Sequence, residues 1–162
     1  MYLKKQNTMN NEEKYIAYLV DLIPIIQEKR LEQMNQNTTD RYETGQLQAY
    51  SSLLDYMKKL AQDNELPVQV LGLDVLMRNR INDKDLQNQN DLKYKKIISQ
   101  IVAYCMQQVI KTKQKKDLLS QGQLLAYYDI LTIMKEQAEL AFDININELG
   151  IKDTNLEELA FA

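Results

Sequence analysis

The chain has no histidine, no tryptophan, one cysteine, two prolines and four glycines among 162 residues. Each shortage excludes something. Without histidine it lacks the commonest general base, proton shuttle and transition-metal ligand, and a Cys–His nucleophile cannot be assembled within one chain. A single cysteine, Cys105, rules out an intramolecular disulfide framework and any multi-cysteine zinc site. So few glycines and prolines cannot punctuate a β architecture of short strands, which leaves helix as the expectation. No run approaches the roughly 18 apolar residues of a membrane-spanning helix; the longest near the start, Leu19 to Ile26, is broken by Asp21 and Pro24. Residues 1–11, MYLKKQNTMNN, hold no apolar stretch that would read as a secretory signal. The expectation is a cytoplasmic protein with no membrane association. Residues 1–10 carry no apolar helical face and read as loose.

What is present fits one globular domain, 1–162, at 44% hydrophobic and 27% charged residues with a formal net charge of −3. A chain of this length buries enough surface to fold without metal or disulfide, so no cofactor is expected.

The chain also contains itself twice. Shifted by 77 positions, Gly45–Ala61 matches Gly122–Ala138 at nine of seventeen residues, among them Gly45/Gly122, Gln46/Gln123, Tyr50/Tyr127, Met57/Met134 and Ala61/Ala138. One inserted residue then brings Leu71-Gly72-Leu73 over Leu149-Gly150-Ile151. This period is far longer than that of ordinary solenoid repeats, and it predicts a tandemly duplicated helical hairpin: units at about 12–79 and 91–160, joined by a polar linker at about 80–90.

Periodicity places the helices. In unit one a first helix from about Glu12 to Met34 carries Tyr15, Ile16, Leu19, Leu22, Ile23 and Ile26 on one stripe, with Pro24 as a kink point. Its counterpart from about Asp91 to Lys115 carries Tyr94, Ile97, Ile98, Ile101, Cys105, Val109 and Ile110. Second helices start near Asp40 and Asp117, with Asp40–Glu43 as a capping arrangement and Ser120–Gln123 as a later cap. Their seams are Leu47, Tyr50, Leu54, Met57, Ala61 and Leu124, Tyr127, Leu131, Met134, Ala138. Short closing elements follow, Leu66 to Asp74 and Ile144 to Ile151, each ended by a glycine. A Thr154–Glu157 capping box opens a last short helix. The fold expected is an all-α bundle of four long helices with short closing helices.

Two readings are open for Gly45 and Gly122, where glycine costs about 1 kcal/mol against alanine: a helix crossing too close for a Cβ, or a frame for a recognition surface presenting Gln46, Tyr50, Gln123, Tyr127 and Tyr128. Tyr50 and Tyr127 themselves read as core residues with their hydroxyls at the rim. The run Asp143-Ile-Asn145-Ile-Asn147-Glu148 superficially has calcium-loop spacing but lacks the glycine and the acidic twelfth residue; helix capping explains it better, and no metal is expected. Between Lys93 and Lys116 there are seven lysines and no acid, ending in Lys111, Lys113, Lys115 and Lys116, whereas Glu136–Glu158 holds seven acids against Lys152 alone. A solvated face, an acidic protein partner and a nucleic-acid footprint all fit the lysines; four arginines in all and an acidic total count against nucleic acid.

Residues 122–151, GQLLAYYDILTIMKEQAELAFDININELGI, resemble a pattern of small helical proteins of Gram-positive bacteria, with one or two copies of a G-x-L-x-A-Y-Y-x-x-L-x-x-M-K-x-Q-A helix followed by a Leu-Gly-Leu/Ile element. Unit one departs from it at Ser51 and at Lys59-Leu60. The resemblance implies the fold and carries no activity with it. The function expected is a non-enzymatic protein-binding module, of inhibitor, immunity or antitoxin-like kind or an adaptor, with a homodimer compatible. The alternative is a nucleic-acid-associated regulator using 93–116.

Overall fold

In the computed structural model, which describes residues 11–37, 39–66, 91–151 and 155–161, every regular element is helical. Four long helices arise where the apolar stripes predict them: α1 (Asn11–Asn35), α2 (Arg41–Asp63), α3 (Asp91–Lys113) and α4 (Leu118–Glu136). A π-helical turn (Gln137–Ala141), a 3-10 turn (Ile146–Leu149) and α5 (Leu156–Phe161) follow. The unit-one closing element beyond Leu66, including Pro67 and Gly72, and the linker at 80–90 lie outside the described residues, as do residues 1–10.

The starts of α2 and α4 are set by equivalent aspartates. The Asp40 carboxylate accepts the Tyr42 N–H at 2.8 Å, and Asp117 accepts both the Ser120 N–H at 2.9 Å and the Ser120 hydroxyl at 2.7 Å. Ser120 is therefore consumed by the Asp117 cap rather than opening the helix itself. Glu43, three residues on, holds its Oε2 buried without a partner. Pro24 is accommodated inside α1 on its solvent side. The last helix is opened by Asn155, whose side chain accepts the Glu157 N–H at 3.1 Å; Thr154 lies outside the described residues.

The helices form an all-α bundle in which helices consecutive in the chain run antiparallel. Early residues of α2 meet early residues of α4, so those two run the same way. A Cβ on Gly45 would overlap the Leu119 carbonyl oxygen, and a Cβ on Gly122 would overlap that of Tyr42. The two contacts are reciprocal: Leu119 and Gly122 are the residues 77 beyond Tyr42 and Gly45. Of the two readings of these glycines, the close crossing is what the geometry shows. The other parallel pair, α1 and α3, approaches at its own N-terminal end, where the Lys95 ammonium lies 5.9 Å from the Tyr15 ring centre.

The buried sets keep the same arithmetic. Gly45, Ala49, Tyr50, Leu53, Leu54, Met57 and Ala61 are buried, and so are Gly122, Ala126, Tyr127, Ile130, Leu131, Met134 and Ala138, each 77 further on. In the first helices Tyr15, Tyr18, Leu19, Leu22, Ile23 and Ile26 correspond to Tyr94, Ile97, Ile98, Ile101, Val102 and Cys105, each 79 further on. The change from 79 to 77 reflects a first helix that ends one residue sooner and a connection one residue shorter in the second hairpin.

Beyond Ala61 and Ala138 the offset becomes 78, and the structure shows where the extra residue goes. In the first hairpin the Leu66 N–H donates back to the Ala61 carbonyl, five residues earlier, at 2.8 Å. In the second, Ile144 N–H donates to Ala138, six residues earlier, at 2.7 Å. The π-helical turn lies across that interval, and a π turn is how a helix absorbs one residue. Glu65 (φ 56°) and Asp143 (φ 50°), 78 apart, then take the same left-handed backbone, and Leu66 and Ile144 both return to the core. Tyr18 pins the widened turn. Its hydroxyl donates to the Met134 carbonyl just before the turn at 2.7 Å, and its ring meets Phe142, just after it, edge to face at 5.7 Å. The residue corresponding to Tyr18 in the other hairpin is Ile97, which has no hydroxyl to give.

Candidate functional site

The residues singled out in the sequence separate into two groups. Tyr50 and Tyr127 are in the core, 3% and 4% exposed. This agrees with their reading as core residues and removes both from the candidate recognition surface. Burial pushes both phenols well above the ordinary tyrosine range. Tyr127 sits in a ring cluster, edge to face with Tyr104 at 6.0 Å, while Tyr104 stacks on Tyr56 at 4.2 Å. Cys105 is fully buried beside them and its thiol is pushed up by desolvation, which removes it from nucleophilic use. Gln46 and Gln123 are half-buried at the glycine crossing, where Gln123 Nε2 donates to Gln48 Oε1 at 3.1 Å.

The second group is at the surface. Lys111, Lys113, Lys115 and Lys116 are all exposed. They belong to the last turn of α3 and the short connection, residues 114–117, that leads into α4. Beside them stand two apolar side chains, Ile110 at 45% exposure and Leu118 at 54%. For Ile110 this corrects the stripe drawn from periodicity. The core stripe of α3 has already passed through Val109, which is buried, and the next residue faces water. The mixture of ammonium groups and apolar side chains at one corner can pair carboxylates while covering hydrocarbon.

The C-terminal helix borders this corner. Lys113 Nζ donates to the Leu159 carbonyl at 3.1 Å, and Phe161 packs edge to face on the half-buried Tyr128 at 5.0 Å. Under the N-terminal end of α5 is a cavity of about 340 Å³ lined by Tyr128, Thr132, Lys135, Glu136, Glu139, Asn155, Leu156 and Glu157. At the far end of the bundle, Glu148 accepts the Tyr15 hydroxyl at 3.1 Å and lies 3.5 Å from Lys95, fastening the 3-10 turn across α1 and α3. The Asn145 side-chain oxygen accepts the Asn147 N–H at 3.0 Å and Gly150 closes the turn at φ 84°, so Asn145 acts as the cap of that run.

Sequence reasoning located the lysines but missed Leu118, the exposure of Ile110 and the Phe161–Tyr128 contact. Leu118 was legible in principle, because Leu118 and Leu119 lie about 100° apart on the helix and only one of them fits against the α2 crossing. Among the described residues no helix is long and apolar enough to cross a membrane. No protein-family model, no curated protein and no solved structure matches the chain.

Proposed function

We propose that the chain is a tandemly duplicated helical hairpin that serves as a non-enzymatic protein-binding module. Its docking corner is the end of α3 and the start of α4. The observation that carries this reading is the coincidence of four exposed lysines with exposed Ile110 and Leu118 around one short connection. Lysines pair phosphates as readily as carboxylates, but Ile110 and Leu118 among the ammonium groups suit the hydrocarbon of an acidic protein surface better than a phosphate backbone, which offers none. A second copy docking through the same corner in a twofold manner would bring eight lysines together, so the partner is a different, acidic surface. The internal equivalences in capping, burial and glycine contacts support the duplication.

The test is comparative affinity capture from the source cell with the native chain and with a variant in which Lys111, Lys113, Lys115 and Lys116 are all replaced by glutamate. A protein retained by the first and lost by the second, with both chains equally folded by circular dichroism, is the expected result. Recovery of only further copies of the chain, or equal retention by both, would defeat the reading. Retention of nucleic acid with affinity falling steeply between low and physiological salt would replace it with a nucleic-acid role.

A further inference from the structure

The second hairpin closes with one residue more than the first needs. Between Ala61 and Leu66 lie four residues, Gln-Asp-Asn-Glu, all polar; between Ala138 and Ile144 lie five, Glu-Leu-Ala-Phe-Asp. Both closures return a core residue, Leu66 or Ile144, so packing alone does not ask for the fifth. Its effect is at the surface. The π turn holds Leu140 at 85% exposure, the highest of the large apolar side chains among the described residues. Glu136, Glu139 and Asp143 flank it along the chain, exposed and in no ion pair among the described residues. Two lysines at that end of the bundle are already engaged: Lys93 Nζ donates to the Asn64 carbonyl at 3.2 Å, and Lys95 lies 3.5 Å from Glu148. An apolar tip flanked by unpaired carboxylates is the chemical counterpart of the lysine corner, where Ile110 and Leu118 stand among exposed ammonium groups.

The two patches also occupy opposite ends of one element. Helix α4 starts at Leu118 in the corner and runs 19 residues, about 28 Å, into the π turn. Two copies placed end to end therefore set corner against tip and leave one of each surface free at the outer ends. We infer that the chain binds further copies of itself head to tail, the Leu140 tip of one seated in the lysine corner of the next. The contact covers Leu140 with Ile110 and Leu118 and pairs Glu136, Glu139 and Asp143 with the corner lysines. It is heterologous, so it avoids gathering eight lysines, and it grows with concentration instead of closing at a dimer. The inference rests on the corner being a docking surface, as proposed above, and gives it a second occupant. Copies of the chain and the acidic partner then compete for the same lysines.

Sedimentation equilibrium of the full chain, from micromolar to millimolar concentration at low salt, tests this. The average mass should climb past that of a dimer, and high salt should return it to the monomer. Leu140→Ser, at an exposed position, should weaken the association about tenfold. Charge reversal adds a stricter arm. One variant carries Glu136→Lys with Glu139→Lys, and the other has all four corner lysines replaced by glutamate. Each alone should stay monomeric, the first having two basic patches and the second two acidic ones. Mixed in equal amounts they should assemble again, since each patch then meets its opposite. Far-UV circular dichroism and thermal midpoints show whether both are folded; if either is not, Glu139→Lys alone or Lys115→Glu with Lys116→Glu takes its place. A native chain that stays monomeric, a mass that levels at the dimer, association unmoved by salt, association of either reversed variant alone, or no assembly in the mixture overturns the head-to-tail contact. If the native chain is monomeric while its corner still captures an acidic partner, the protein-binding reading stands and this inference alone falls. If the chain associates and its corner captures nothing but copies, the inference stands and the separate partner falls.

Discussion

The two glycines at the α2–α4 crossing are opposed by backbone, which sets them apart from an ordinary tight spot in a core. A side chain can rotate away from an added methyl, whereas the Leu119 and Tyr42 carbonyls are fixed by their helices. Gly45→Ala or Gly122→Ala gains about 1 kcal/mol of helix propensity and loses more through overpacking. A net destabilisation of about 1–3 kcal/mol is expected in urea unfolding. Tyr18→Phe should cost about 1 kcal/mol by leaving the Met134 carbonyl without its buried donor, read the same way. The buried tyrosines also set an alkaline limit. Desolvation raises Tyr18, Tyr50, Tyr94 and Tyr127 in the folded chain, and Tyr94 is pushed up to about 12 from an ordinary 10.0. Above pH 10 the unfolded chain therefore releases protons that the folded chain retains, so stability is full below pH 10 and falls as the pH rises toward 12. Urea midpoints measured from about pH 8 to 11 should decline only in the upper part of that range.

At the scale of elements, the caps and the π turn make separate predictions. Asp117→Ala should lower the thermal midpoint, because it removes the cap of α4 and strands the buried Ser120 hydroxyl. Deleting Leu140, which is 85% exposed at the tip of the π turn, should leave a folded bundle with a thermal midpoint within a few degrees of the parent. The deletion restores the five-residue closure that the first hairpin already uses between Ala61 and Leu66. Deleting Leu131, which is buried in α4, should unfold the chain, and thermal unfolding followed by circular dichroism distinguishes the two. The helices and their seams were legible in the sequence because a stripe repeating every three or four residues has one physical solution, a face turned to the core. The inserted residue was legible as a change of offset, but its form was not. A π turn, a bulged loop and a longer connection all absorb one residue, and only the Tyr18 hydroxyl and Phe142 ring select among them. The candidate site was half legible. Lysines advertise themselves by composition, whereas the exposure of Ile110 and Leu118 depends on where neighbouring helices stop.

For the whole molecule, the bundle is two hairpins whose buried sets match among the described residues. The π turn and the lysine corner both belong to residues 93–161. Reversing the four corner lysines should abolish partner capture while shifting the thermal midpoint little, because exposed ammonium groups contribute little to stability. The reciprocal glycines carry a last consequence for how such a chain can change. A clash between two side chains can be relieved by trimming either one, so a damaging substitution there has nearby suppressors. A methyl set against a carbonyl has none, because every amino acid at position 119 or 42 presents the same oxygen. Revertants of Gly45→Ala should therefore restore glycine or act at a distance by shifting a whole helix, which makes these two positions a one-way gate in the protein's history.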